Sequence, residues 1–448
     1  MTLTTRKRLA LLPLAAGAWL LLSAGASAQT VPPDTDAGVQ AAVSAISQSS
    51  LQNTIQTLAA MPTRSTLSPT GSAQAANWVA AQFNAISQST GGRLQVALDT
   101  WTQPADSRLS APVSMTNVIA TLPGTATPER IVIISGHYDT RCSNVMNATG
   151  NAPGADDDAS GVAVALEMAR VMAGRRYPAT IKFVAFTGEE QGLYGSTHFA
   201  QQMSSGGKNV IAMVNNDIVG SSHGQSGVYD ASQISVYAAP TNPAATATQV
   251  SNQQSAGTDA DTPARTLGRA ILDADRRYVP GFGTALMYRM DRFLRGGDHQ
   301  PFVQKGYAAV RLTEPNEDWR HQHQDVVVVN GVQYGDLPQF VDFSYLANVA
   351  RVNAATVATQ ASAPTTPTNV VLTANLSPVT TLSWDYMADA AAYEVLWRVN
   401  NAPDWQGVQL VQGTQTVTLP LSKDGYLFAV RSVSTSGSRS LPGIPTAH

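Results

Sequence analysis

Alternation of short apolar runs with amphipathic stretches over residues 94–358 predicts an α/β fold with a central, mostly parallel sheet flanked by helices. Residues 370–433 carry several short strand-like runs instead, which predicts a small C-terminal β-sandwich. In the first region, polar clusters follow directly on apolar runs. Open α/β sheets bind ligands beyond the carboxyl ends of their strands, so these clusters mark a site.

Residues 39–60 place Val43, Ile46, Leu51, Ile55 and Leu58 at helical spacing. Residues 72–87 repeat the pattern with Ala75, Trp78, Val79, Phe83 and Ile86. The period then changes. Residues 94–98 alternate, 117–122 form a short apolar run, and 131–134 are wholly apolar, as in a strand buried on both faces. Helices are predicted over 162–172, 194–203, 263–277 and 338–358, and strands over 180–186, 210–214 and 308–312. Residues 240–262 lack strong periodicity and read as an inserted surface loop. At 361–368 (ASAPTTPT) the composition shifts to a Pro/Thr linker. The order of Trp384, Tyr393 and the run 426–433 beyond it resembles a fibronectin type III module. The expected domains are therefore 29–360 and 369–448, with the second separable by truncation near Gln360.

Arg6, Lys7 and Arg8 precede an apolar stretch over 9–22, and Ala26-Ser27-Ala28 follows as a small-residue cleavage site. Residues 1–28 thus read as a secretory signal, with a mature start at Gln29 and a secreted or periplasmic product. No other segment could span a bilayer, so no membrane association is expected after cleavage. The 448 residues allow two or three domains. A net charge of −3 with only 13% charged residues argues against a nucleic-acid partner. The one cysteine, Cys142, excludes an intramolecular disulfide and reads as an inert, partly buried thiol.

Five polar clusters carry the chemistry. The first is Ser135-Gly-His-Tyr-Asp139, where Asp139 can face the second ring nitrogen of a metal-binding His137. Gly154-Ala-Asp-Asp-Asp-Ala-Ser-Gly161 crowds three carboxylates that a cation would make favourable together. Thr187-Gly-Glu-Glu190 sets two carboxylates at a strand end, one able to bind metal while its neighbour faces a water. Asn215-Asn-Asp217 follows another strand, and the run 314–325 (EPNEDWRHQHQD) contains two histidines. Together these supply ligands for two divalent ions with open positions, and zinc suits the mixed nitrogen and oxygen set. Paired ions about 3.5–4 Å apart can activate a water between them.

The succession SGHYD, GADDDASG, GEE and NND resembles the M28 family of zinc exopeptidases over about residues 40–358. The resemblance implies a zinc exopeptidase-type sheet, two zinc ions per chain, and peptide or protein substrates. It assigns His137, Asp157, Glu190 and Asp217 as metal ligands, Asp157 bridging the ions. Asp139 orients His137, and Glu189 is the general base that takes a proton from water and passes it to the leaving amine. For the last ligand the family pattern places an acidic residue four positions after the histidine. That spacing selects His321, four before Asp325, with His323 as competitor. Asp298 and His299, in Gly296-Gly-Asp-His-Gln-Pro-Phe302, either touch substrate or form a structural turn. The implied activity is that of a secreted aminopeptidase. Carboxypeptidase and glutaminyl cyclase chemistry on the same scaffold are the alternatives. A non-catalytic protein that binds another protein or surface through its C-terminal module is a remote one.

Overall fold

The computed structural model describes residues 31–447, so the expected signal segment and the start at Gln29 lie outside the described residues. Three helices precede the sheet: α1 (Ala37–Ser44), α2 (Gln48–Ala59) and α3 (Pro69–Ser89). Asp36, Ser47 and Ser68 begin them by accepting first-turn N–H groups. The single helix expected over 39–60 is therefore two, because Ser47 starts a new one.

Eight strands build the main sheet: β1 (Gln95–Gln103), β2 (Val113–Leu122), β3 (Thr127–His137), β4 (Ala179–Phe186), β5 (Asn209–Asn216), β6 (Gln233–Ala238), β7 (Gly283–Met287) and β8 (Ala309–Thr313). Their order is β1-β2-β4-β3-β5-β8-β6-β7. The central pairs β4–β3, β3–β5 and β5–β8 are parallel, as is β6–β7. The pairs β1–β2, β2–β4 and β8–β6 are antiparallel, so the sheet is mixed around a parallel centre.

The remaining helices are α4 (Ala159–Met172), α5 (Glu189–Gly192), α6 (Tyr194–Ser205), α7 (Ala247–Ala256), α8 (Pro263–Tyr278), α9 (Gln300–Gln304) and α10 (Phe343–Ser362). Helices α4 and α10 pack on β3 and β4. The β3–α4 contact is close because both sides are glycine there. A Cβ on Gly136 would lie 2.4 Å from the carbonyl carbon of Gly161. The expected loop over 240–262 contains α7, closed by a Thr246–Gln249 capping box. None of its residues is buried. With no apolar stripe, it leaves no helical period in the sequence. Beyond β8, β9 (Val327–Val329) and β10 (Val332–Tyr334) form a hairpin.

At the C-terminus, β11 (Val371–Leu372), β12 (Thr380–Ser383), β13 (Ala392–Val399), β14 (Gly407–Val411), β15 (Thr416–Leu419), β16 (Tyr426–Val433) and β17 (Thr446–Ala447) form two small sheets, β15-β12-β11-β17 and β14-β13-β16. Leu382 and Leu419 of one and Val395, Phe428 and Val430 of the other share a core with Trp384 and Tyr393. Residues 361–368 are not a free tether. Helix α10 runs to Ser362, and Ala361, Ala363, Pro364 and Pro367 are buried. Asp261, ahead of α8, is ion-paired with Arg269 at 2.5 Å and with Arg398 of β13 at 2.9 Å, and all three are buried. Arg431 of β16 reaches Asp273 at 2.9 Å. From Pro32 onward the chain is one compact unit.

Candidate active site

Four parallel strand ends converge on one place. His137 is the last residue of β3, Thr187-Gly188-Glu189 follows β4, Asp217 follows β5, and Glu314 follows β8. His137 is fixed at three points. Its backbone N–H donates to Asp158 Oδ2 at 2.8 Å, and its Nδ1 lies 3.1 Å from the Asp139 carbonyl oxygen and 3.5 Å from Asp139 Oδ1. Asp139 in turn accepts the backbone N–H groups of Glu189 and Glu190 at 3.3 and 3.2 Å. One buried carboxylate thereby aligns the histidine with the Glu-Glu turn.

The triple-aspartate run divides its tasks. Asp158 caps α4, accepting the Gly161 N–H at 2.9 Å. Asp156 turns away from the centre and accepts the Gly220 N–H at 2.7 Å. Asp157 points inward: its Oδ1 is 3.1 Å from His137 Nε2 and its Oδ2 is 2.8 Å from His323 Nε2. His323 Nε2 also lies 3.1 Å from Glu190 Oε2, and Asp217 Oδ1 is 3.9 Å from His137 Nε2. The result is two three-residue groups able to hold a metal ion, His137–Asp157–Asp217 and Asp157–Glu190–His323, with Asp157 in both.

His321 belongs to neither group, which corrects the expectation that selected it. Its ring stacks on Phe340 with centroids 3.6 Å apart, and its Nε2 faces Asp318 at 3.9 Å. The spacing to Asp325 carries no pairing either, since Asp325 accepts the Ser143 hydroxyl at 2.8 Å. His323 reaches the centre from a left-handed backbone conformation, φ 54°. A non-glycine residue pays roughly 1–2 kcal/mol for that conformation, and the pattern of residue types does not reveal it.

Burial alone would lower the pKa of His137, but Asp139 and Asp157 outweigh it and raise it well above the ordinary histidine range. His323 likewise rises to about 9 against burial, through Glu190 and Asp157. Glu189 is pushed well up by burial, with Asp217, Glu190 and Asp298 adding to it. Asp157 is instead held low: burial opposes this, and His323 and His137 prevail. A dry cluster of this kind needs positive charge. His137 Nε2, buried and without a hydrogen-bond partner, faces two carboxylates. An orphaned imidazole nitrogen among carboxylates fits a divalent cation, and the nitrogen and oxygen donors fit zinc.

Several supporting residues escaped the sequence reading. Asp336 accepts the N–H groups of Asp156 and Asp157 at 2.9 and 2.7 Å, fixing the register of the run. Arg64, wholly buried, donates to the carbonyls of Tyr138, Pro153 and Gly154 on both sides of the centre. Arg311 donates to Asp217 Oδ1 at 2.6 Å. A charged residue inside an apolar strand was a usable signal for Arg311, whereas Asp336 and Arg64 sit in unpatterned loops. Asp298 and His299 are fully buried and do not line the cavity beside Glu189. His299 Nε2 is 2.7 Å from the Met290 carbonyl, and both carboxylate oxygens of Asp298 are buried without a hydrogen-bond partner. Cys142 is buried and free, as expected.

Residues 117–330 match Peptidase family M28. A probable zinc metalloprotease of Leptosphaeria maculans is 43% identical over 418 residues, spanning 92% of this chain and 97% of that protein. The chain belongs to peptidase family M28. This M28 chain is accordingly a zinc metallopeptidase. Among solved structures, LapB from Legionella pneumophila aligns at TM-score 0.53 and 21% identity, over 72% of this chain and 75% of LapB. The LapA aminopeptidase of the same organism aligns at 0.52 and 18%, over 73% and 76%. Both share its fold. No helix among the described residues of the M28 chain is long and apolar enough to cross a membrane.

Proposed function

We propose that this zinc metallopeptidase is a secreted aminopeptidase that releases N-terminal residues from peptides and proteins with two zinc ions. One ion is assigned to His137, Asp157 and Asp217, the other to Asp157, Glu190 and His323. The observation that carries the reading is Asp157, whose two oxygens face two different histidines at 3.1 and 2.8 Å. Bound ions supply acidification of a water and polarisation of the scissile carbonyl. Glu189, in the cavity wall, takes the water's proton and delivers it to the leaving amine. Asp139 positions His137 and the Glu189–Glu190 turn together.

The cavity beside these residues measures about 290 Å³. That is room for one or two residues. The LapA neighbour is itself an aminopeptidase, in keeping with this reading. Export rests on the sequence of residues 1–28, and the C-terminal module, fibronectin type III-like by sequence, is proposed to engage another protein or surface.

Assays of free-amine and N-acetylated peptides, with and without a chelator, test the proposal. Hydrolysis of free-amine peptides only, abolished by chelator and restored by zinc, is the expected result. Release of C-terminal residues from blocked peptides would make the enzyme a carboxypeptidase. Cyclisation of N-terminal Gln without peptide hydrolysis would make it a cyclase.

A further inference from the structure

The cavity that contains Glu189 and His323 is lined by five arginines, Arg108, Arg141, Arg292, Arg295 and Arg311. Its only sizeable apolar lining residues are Leu193 and Leu294. Two of the guanidiniums are neutralised in place. Arg311 is paired with Asp217 at 2.6 Å and Asp291 at 3.4 Å, and Arg292 is paired with Glu317. Arg295 shares Glu317 at 3.7 Å, donates to Gln322 Oε1 at 2.9 Å and lies 4.7 Å over the Trp319 ring.

Arg141 and Arg108 differ from these. Arg141 donates only to backbone carbonyls, those of Cys142 at 3.1 Å and Ser143 at 2.9 Å. Arg108 is exposed on the rim. Among the described residues neither forms an ion pair with a carboxylate. On the two-zinc aminopeptidase reading, on which this inference rests, Asp157, Glu190 and Asp217 hold the metal ions, and Asp291 remains as the carboxylate partner of Arg311. The arginine excess is then unbalanced. An apolar substrate side chain would meet guanidiniums that lose water and gain no partner, which is unfavourable. A carboxylate would gain charge-assisted hydrogen bonds, which a guanidinium can make in pairs.

We propose that the cavity recognises a carboxylate carried by the substrate close to the scissile bond, with Arg141 and Arg108 as its partners. The carboxylate comes either from an acidic side chain at the peptide N-terminus or from the free C-terminus of a very short peptide.

Two substrate pairs distinguish the sources. Glu-p-nitroanilide against Leu-p-nitroanilide varies the side chain alone, and Leu-Gly against Leu-Gly-amide varies the terminal carboxylate alone. The expected result is a preference of at least about tenfold in kcat/KM within one pair. It should shrink to within about twofold in Arg108→Ala/Arg141→Ala, and partly in the exposed-site variant Arg108→Ala. If both pairs are cleaved equally, or the preference survives the double substitution, the proposal is overturned while aminopeptidase activity stands. If none of the four is hydrolysed, the aminopeptidase reading fails. Calorimetry on Glu189→Gln enzyme then decides the cavity's selectivity separately. Glu-Gly binding about tenfold tighter than Leu-Gly-amide, and lost in the arginine variants, supports it, and equal binding overturns it.

Discussion

His323 Nε2 stands 2.8 Å from Asp157 Oδ2 and 3.1 Å from Glu190 Oε2, whereas His321, two residues earlier, is stacked on Phe340. The two histidines therefore differ in kind. His323→Ala is expected to lower bound zinc from about two per chain towards one and to reduce kcat/KM at least about 100-fold, since a first ligand matters at least as much as the groups that orient ligands. His321→Ala should retain its zinc and lose only packing. Metal analysis and kinetics on the two purified variants check this, and equal zinc loss in both would remove the distinction.

Asp157→Asn bears on the same centre from the other side. Its two oxygens face both histidines, so the variant is expected to fall from about two zinc ions towards one or none and to lose activity. Asp156→Asn and Asp158→Asn should cost about 10–100-fold, because those carboxylates orient neighbouring backbone instead. Two retained zinc ions in Asp157→Asn, with loss in Asp158→Asn, would reverse the register.

For Glu189→Gln, zinc content and melting temperature should match wild type while kcat falls by about 100- to 10,000-fold, because an amide cannot accept the water's proton. Near-wild-type turnover would remove Glu189 from its role.

The strand ends were legible because β3, β4, β5 and β8 are buried runs interrupted by polar residues at their carboxyl ends. Burial on both faces makes such runs continuous in the sequence, and an α/β sheet puts their ends together. His323 was not separable from His321, because the choice turns on one left-handed backbone angle in a loop. Helix α7 was hidden by a uniformly polar surface, and β6 (QISVYA) and β7 (GTALM) interrupt their apolar residues with small or polar ones. The packing of the C-terminal sheets was missed for another reason. Arginines such as Arg398 and Arg431 look like surface charges until Asp261 and Asp273, more than a hundred residues away, are seen facing them.

That contact predicts the behaviour of a truncated chain. Ending at Gln360 would cut α10 within its last turn and leave Asp261 and Asp273 without Arg398 and Arg431. The truncated protein is expected to be poorly soluble or markedly less stable, contrary to the separability that the Pro/Thr run suggests. Asp261→Asn, which leaves the buried guanidiniums of Arg269 and Arg398 without their shared carboxylate, should cost about 3–5 kcal/mol in denaturant unfolding. A soluble, fully active truncation with an unchanged melting temperature would show the interface to be dispensable.

Asp275 sets the expected pH dependence of stability away from the metal centre. It lies in the last turn of α8, 2% exposed, with the Thr284 hydroxyl at 3.3 Å as its side-chain contact. Burial raises its pKa from 3.8 to about 7, and the Thr284 hydrogen bond and Arg276 only partly oppose the shift. The folded chain thus holds this proton more tightly than the unfolded chain. Below about pH 3.8 both states are protonated and Asp275 costs nothing. Between there and pH 7 the unfolded chain ionises first, so its contribution to stability falls as pH rises and is lost above about 7. The negative end of the helix dipole adds to the penalty on the ionised form. Asp275→Asn cannot ionise, so relative to wild type it should gain about 1–3 kcal/mol between pH 4 and pH 8. Urea unfolding of both proteins across that range measures it. A constant difference at every pH would mean that Asp275 titrates normally in the folded state.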